Sequence, residues 1–425
     1  MSSACWRTSS DVLLTPVGNI TRIARKTENT DAGTRIMTSE LITSCSNNRN
    51  VSKGWSLLPS LGYIAAMAKT LSLPLCATLL LAAAACSAPA PRSGAGTDLP
   101  HGIILIVGDG MGAAHFTLAR LLRGDEYRIG RLPQTGLVAT ASANSRATDS
   151  AAAATAYATG IKTNNGFLGM DSSGRAHETV AEIAESRGLA TGLVTTAKFG
   201  DATPAAFAAH VQSRHERNVI AGQLVDRGVD VLASNGLEWF GSDGAPSLEE
   251  LAKRGGYLPV RTAAELQATG AGPVLAVFPS GEMDGDSPEL PLPDLASWSI
   301  DRLSRDPDGF FLLLEHEGTD TASHNNDMTA LEASLRSLDQ TVGVAMDFAR
   351  ERGDILVVVV GDHETGGLQI DGPWDAPQDS WATRDHTGEA IPIFAAGPGA
   401  AAFTGFNENT AVGDALLALV RRMGR

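Results

Sequence analysis

The chain has 425 residues, 43% hydrophobic and 19% charged, which is globular composition with room for one large α/β domain or two ordinary ones. Its charge is uneven: residues 1–86 carry eight Lys and Arg against four Asp and Glu, whereas residues 87–425 carry 25 against 44. An acidic body of that kind argues against nucleic acid as a dedicated partner.

Residues 1–66 show no sustained periodicity and read as a non-native or unstructured extension. Residues 67–86, MAKTLSLPLCATLLLAAAAC, place a lysine before an apolar run that ends in small residues, the form of a secretory signal. The run is short for a membrane span, and Pro74 interrupts it. Ala83-Ala-Ala-Cys86 resembles a bacterial lipoprotein processing site with Cys86 as the lipidated residue, although leucine is more usual three places before the cysteine. The alternative is an ordinary signal cleaved near 83–89. A signal should start a chain, so Met67 is a candidate initiator, and the expected address is extracytoplasmic: periplasmic or cell-surface, with a lipid anchor. SAPAPRSGAGTDLP (87–100) is a linker. All four cysteines, Cys5, Cys45, Cys76 and Cys86, precede it, so the remainder holds neither a disulfide framework nor a cysteine metal site.

From residue 101 onward, GIILIVGDGMG (102–112) predicts a buried strand ending in a glycine-rich turn, followed by an amphipathic helix over 113–124. GLVATAS (136–142) predicts a strand. ATDSAAAATA (147–156) predicts the next helix, capped at its start by Thr148, Asp149 or Ser150 and at its end by Gly160. A serine there is either a plain cap or a group set among free backbone N–H donors, where an anion such as phosphate would bind. Further on come a helix (177–188), a strand (190–197), a helix begun by TPAAFAAHV (203–211), a helix (216–228) and the strand VDVLAS. Residues 236–300, rich in Gly, Pro and Asp, read as an insertion or lid that includes the strand PVLAVFP. The pattern closes with strands at 309–315, 354–363 and 390–397 and helices at 328–352 and 409–423. Unbroken apolar strands alternating with helices predict an α/β fold, a mainly parallel central sheet with helices on both faces.

In such sheets ligands bind beyond the carboxyl ends of the strands. Polar residues gather there: Asp109, Asp201 with Thr203, Glu315 with Asp320 and His324, and Asp362 with His363. One such residue is usually a cap or turn former, but four strands ending in carboxylates are harder to dismiss. Asp320 and His324 are four apart, which on a helical turn puts both on one face. His386 sits just before another strand. Imidazole with carboxylate suits zinc; carboxylate with hydroxyl suits magnesium. His101, His115, His177, His210, His215 and His316 have no comparable setting and read as surface or helix residues.

IILIVGDGMG, TDSAAAATA, DATPAAFAAHVQSR, LLLEHEGTDTASH, VVVVGDHETGG and HTG before a strand resemble, in order, the motifs of the alkaline phosphatase family, from about residue 102 to 400. The resemblance implies a metal-dependent phosphomonoesterase with two Zn2+ and one Mg2+. Ser150 matches the nucleophile. Asp320, His324 and His386 match the first zinc site. Asp109, Asp362 and His363 match the second, which also holds the serine oxygen. Asp109, Thr203 and Glu315 match the magnesium site, with Asp201 around it; Glu315 is preferred to Glu317 because Glu-x4-Asp fits the family spacing. Arg214 matches the phosphoryl clamp and Asp149 the carboxylate that orients it. Thr321 departs from relatives that carry lysine, histidine or tryptophan there. Small phosphate monoesters are the implied substrates, and a homodimer is expected because relatives commonly pair. Other readings are a phosphodiesterase of the same superfamily, which often has a threonine nucleophile, and a non-catalytic extracytoplasmic binding protein, which would be expected to lack a ligand or the serine. A sulfatase is disfavoured because four alanines follow Ser150, and a mutase by the secretion signal.

Overall fold

A computed structural model describes residues 99–425 apart from 243, 282, 284–288 and 374–376; the extension, the signal and nearly all of the linker lie outside the described residues. The run Ile103–Val107 has no polar side chain to turn toward water, so it suits only an interior strand. It forms β1 (Gly102–Gly108), buried throughout. In chain order there follow α1 (Ala113–Arg123), β2 (Gln134–Ala139), α2 (Ser150–Thr159), α3 (Val180–Ser186), β3 (Ala190–Lys198), α4 (Ala202–Ala206), α5 (Arg217–Asp226), β4 (Val231–Asn235), α6 (Leu248–Gly255), β5 (Leu258–Val260), α7 (Ala263–Gln267), β6 (Val274–Phe278) and α8 (Leu292–Leu303). The second half adds β7 (Phe310–His316), α9 (Gly318–Asn325), α10 (Met328–Arg352), β8 (Ile355–Gly361), β9 (Glu364–Thr365), β10 (Leu368–Gln369), β11 (Ser380–Trp381), β12 (His386–Thr387), β13 (Ile391–Ala396), β14 (Gly405–Glu408) and α11 (Asn409–Val420).

Ten strands form one sheet in the order β14-β2-β13-β8-β1-β7-β3-β4-β6-β5. Every pairing is parallel except those of β13, which runs antiparallel to β8 and β2. Side chains of a strand alternate between faces, and β1 shows the result. Ile103, Leu105 and Val107 join the core that holds α2, α3 and α11, while Ile104 and Ile106 join the core that holds α1, α8 and α10. The fold is therefore α/β, with helices on both faces of a mainly parallel sheet.

Two segments differ from expectation. Within residues 236–300, expected as an insertion or lid, β5 and β6 extend the central sheet at its edge, β6 pairing in parallel with β4 and β5 with β6. The helix expected over 203–211 stops at Ala206. Val211 exchanges backbone hydrogen bonds with Leu168, which pulls the chain into an extended bridge.

The alanines of α2 permit close packing, and all ten of its residues are buried. Against it lies α11, where a Cβ on Gly413 would meet the Ala156 carbonyl oxygen at 2.2 Å. The Tyr157 hydroxyl donates to the Gly361 carbonyl at 2.7 Å and so ties α2 to the end of β8. Among the described residues no helix is long and apolar enough to cross a membrane.

Candidate active site

The register of the central strands levels their carboxyl ends. Gly108 of β1 lies opposite His316 of β7 and Gly361 of β8, so the residues that follow emerge side by side. Gly110 turns the chain after β1 with φ +73°, and a Cβ there would stand 2.8 Å from Asp320 Oδ1. Its N–H donates to Asp362 Oδ1 at 3.0 Å. Only glycine allows that approach at that φ.

Three groups of potential ligands result: Asp320, His324 and His386; Asp109, Asp362 and His363; and Asp109, Glu315 and Glu317. The first depends on the short pairing of β12 with β9, which sets His386 opposite Thr365. His386 Nδ1 donates to the Thr148 carbonyl at 2.8 Å, and His324 Nδ1 donates to the Arg384 carbonyl. A carbonyl can only accept, so both Nδ1 atoms carry hydrogen and both Nε2 atoms face inward, 3.1 Å apart. Asp320 Oδ2 stands 3.2 Å from His324 Nε2. Burial would raise the Asp320 pKa, but the bond with His324 and the nearby His363 charge hold it below the usual carboxylate range. The same bond with Asp320 raises His324 to about 9.

The other two groups are carboxylate-rich and deeply buried. Asp109 Oδ1 and Asp362 Oδ2 lack a hydrogen bond of good geometry among the described residues, with His363 Nε2 standing 3.5 and 3.3 Å from them. Such oxygens are costly in a protein interior unless a cation meets them. Burial, then the charge of Asp362, raises Asp109 well above its ordinary pKa; burial, then Asp201, does the same for Glu317. Glu315 is pushed up to about 8 by burial and by Asp201 and Asp362, although the Thr195 hydroxyl donates to it at 2.5 Å. Divalent cations fit the first group's inward nitrogens and these buried carboxylate oxygens alike.

Asp149, not Ser150, is the N-cap of α2: its Oδ1 accepts from the Ala152 N–H at 3.0 Å. That leaves Ser150 Oγ free to approach His363 Nε2 at 3.3 Å. Asp149 Oδ2 accepts from Gly166 N–H at 2.9 Å and stands 3.5 Å from Arg214. Asp201, expected around the magnesium site, sends Oδ1 to Arg214 at 3.0 Å and caps α4. Burial opposes the Arg214 charge, but Asp201 and Asp149 hold its pKa above the usual guanidinium value.

All the singled-out residues therefore lie around the carboxyl ends of β1, β3, β7 and β8 or at the start of α2. Glu317, set aside in favour of Glu315, stands with it beside Asp109. Thr195 and Thr365 were not singled out. Thr365 Oγ1 donates to Asp320 Oδ1 at 2.5 Å and lies 3.2 Å from His363 Nδ1. Its place two residues after His363, on the same side of an extended chain, was a usable signal; Thr195 reaches Glu315 only through the register of β3 with β7. His316 is neither a surface nor a helix residue: it ends β7 fully buried, and burial lowers its pKa to about 4.

The pattern of the family described as alkaline phosphatase matches residues 101–379. The alkaline phosphatase of Escherichia coli K12 is 31% identical over 395 residues, spanning 72% of this chain and 83% of its own. Streptomycin-6-phosphate phosphatase of Streptomyces griseus is 30% identical over 427 residues, spanning 79% and 93%. Among solved structures, the alkaline phosphatase of the Antarctic bacterium TAB5 superposes with a TM-score of 0.70 at 26% identity, over 76% of this chain and 99% of its own. A mutant of that protein has Mg bound in a site designated M3. Six collinear motifs, the strand-end clusters and these matches converge on one assignment: the chain belongs to the alkaline phosphatase family and is a metal-dependent phosphomonoesterase.

Proposed function

We propose that the enzyme works through a phosphoserine at Ser150, with two zinc ions and one magnesium ion as cofactors. Asp320, His324 and His386 would hold the first zinc, and Asp109, Asp362 and His363 the second, beside Ser150. Asp109, Glu315 and Thr203 would hold the magnesium, with Glu317 and Asp201 adjoining. Bound there, the cations would neutralise charge on the entering and leaving oxygens and lower the pKa of the serine hydroxyl.

The protein's own part follows from its geometry. Arg214, braced by Asp149 and Asp201, offers parallel donors to two phosphoryl oxygens. The N-terminus of α2 adds backbone N–H groups and a favourable dipole. Ser150 Oγ bonds to phosphorus as the ester oxygen departs with its electron pair and leaves as the alcohol. Water then attacks the phosphoserine, restores the hydroxyl and releases inorganic phosphate. The single observation that carries this reading is the freedom of Ser150 Oγ: Asp149 caps the helix, so the serine is not needed as a cap. Export through residues 67–86, attachment at Cys86 and pairing into a homodimer belong to the same proposal.

The test is acid trapping with labelled phosphate. Label should appear on Ser150, and Ser150→Ala should lose both label and turnover while its metal content stays near that of the unsubstituted enzyme. Full turnover by Ser150→Ala would end the proposal.

A further inference from the structure

Beside the potential ligand groups opens a cleft of about 280 Å³, lined by Thr196, Lys198, Asp201, Arg217, Ser280 and Thr321 among others. A neighbouring cavity of about 390 Å³ shares Asp201 and Arg217 with it and reaches Arg214. Asp201 thus separates the phosphoryl clamp from the open cleft. Glu317 also lines the cleft, which therefore borders the Asp109–Glu315–Glu317 group.

The two cations in this wall have no evident structural duty. Arg217 is the first residue of α5, exposed, with no acidic residue in that first turn. A positive charge there opposes the helix dipole. It forms no ion pair with any described residue, whereas Arg214, three residues earlier, forms two. Lys198 ends β3 and is exposed. The acid nearest to it in influence, Glu238, is held chiefly by the Ser280 N–H and hydroxyl, with Lys198 a lesser contributor. The acids of the cleft are already engaged: Asp201 by Arg214, and Glu317 beside Asp109 and Glu315. A cationic rim with unused charge therefore lies against a protein of net charge −15.

We infer that this cleft receives the alcohol portion of the substrate, and that Arg217 with Lys198 favours phosphate monoesters whose alcohol portion carries a second anionic group, a carboxylate or another phosphate. The inference rests on the phosphomonoesterase assignment and adds a selectivity to it. Its reach is short: exposed charges act on one another within about 10 Å at ordinary salt, so the second anion must lie close to the ester.

The experiment compares phenyl phosphate, 3-carboxyphenyl phosphate and 3-(aminomethyl)phenyl phosphate on the metal-loaded enzyme. The intrinsic reactivities of the three esters cancel when each variant is divided by the unsubstituted protein. Arg217→Ala should lower the carboxyphenyl-to-phenyl ratio of kcat/KM about fivefold, the upper end for an exposed ion pair, and mainly through KM. Lys198→Ala should act in the same direction. Arg217→Glu should invert the order, favouring the aminomethyl ester, and 0.5 M salt should shrink all three effects. Ratios unchanged in Arg217→Ala and Arg217→Glu, with phenyl phosphate still turned over, would overturn the inference and leave the phosphatase assignment standing. Absence of phenyl phosphate turnover in the unsubstituted enzyme would instead defeat the assignment itself.

Discussion

The first ligand group and the Asp109–Glu315–Glu317 group sit at the same end of one sheet and solve the same problem in opposite ways. The first mixes one carboxylate with two imidazoles, and the His324 side chain is 39% exposed. Its members neutralise one another: Asp320 stays ionised because His324 takes a proton, and both pKa values move apart. The second has no basic member and little exposure. It relieves its repulsion only by binding protons, so its pKa values climb together. A cation displaces a shared proton in one place and several buried ones in the other, which makes metal binding in both a competition with acid.

Substitution of the shared ligand tests that contrast most strongly. Asp109 belongs to two of the three groups, with Asp362 and His363 in one and with Glu315 and Glu317 in the other, so Asp109→Asn should reduce metal content in each and lower kcat/KM by roughly 10³-fold, the order expected when several kcal/mol of charge stabilisation is lost. His386→Ala should strip only the group it shares with Asp320 and His324, and added zinc should restore part of the activity. Elemental analysis showing the same loss in both variants would erase the distinction.

Chelated protein should expose the second difference. The folded pKa of Glu315, about 8, exceeds its unfolded value of 4.5. Between those limits the folded state holds a proton that the unfolded state releases, so stability falls as pH rises through that window. His324, raised from 6.5 to about 9, gives stability that is complete below 6.5 and lost as pH climbs to 9. Both trends point the same way but occupy offset windows that overlap between pH 6.5 and about 8. Glu315→Gln should remove the lower one, worth a few kcal/mol because each tenfold change in proton affinity is about 1.4 kcal/mol, and His324→Gln the upper one. Thermal melts of chelated protein from pH 5 to 9 measure this; a melting temperature that rises with pH would contradict it.

A smaller effect should come from Thr195, whose hydroxyl donates to Glu315. Thr195→Val keeps the shape and removes that donor. Magnesium affinity should fall about 10-fold, as for other partners that orient a ligand, with zinc binding unchanged. Parallel loss of zinc affinity would mean that Thr195 supports the strand ends generally.

Particular residues explain what was legible in the sequence. Ile103–Val107 and Ile355–Val360 have composition that suits only interior strands, so the sheet and its polar strand ends followed at once. Asp320 and His324 share a helix face by spacing alone. The capping of α2 was undecided among Thr148, Asp149 and Ser150, because three adjacent oxygens compete for one N–H and only the backbone angle of Asp149 settles it. The reversal of β13 was equally hidden: direction depends on where the chain re-enters the sheet, not on the apolar run itself. The strand PVLAVFP, which is β6, is legible, but β5 and the place of both strands in the central sheet are obscured by the Gly, Pro and Asp around them. The Thr148 and Arg384 carbonyls that fix the two imidazoles carry no side-chain signal at all.

The hydrogen bond from Tyr157 to Gly361 has a mechanical consequence. It joins the body of the serine-bearing helix to the last residue before Asp362 and His363. On its far side that helix is wedged against Gly413, with no room for a methyl group. Serine and imidazole are thus mounted on a closed frame, like the jaws of a fixed-gauge tool. The walls of the neighbouring cleft hang from separate parts, Lys198 from a strand end and Arg217 from the first turn of another helix. Drift in those walls can retool what the jaws are offered without altering how wide they stand.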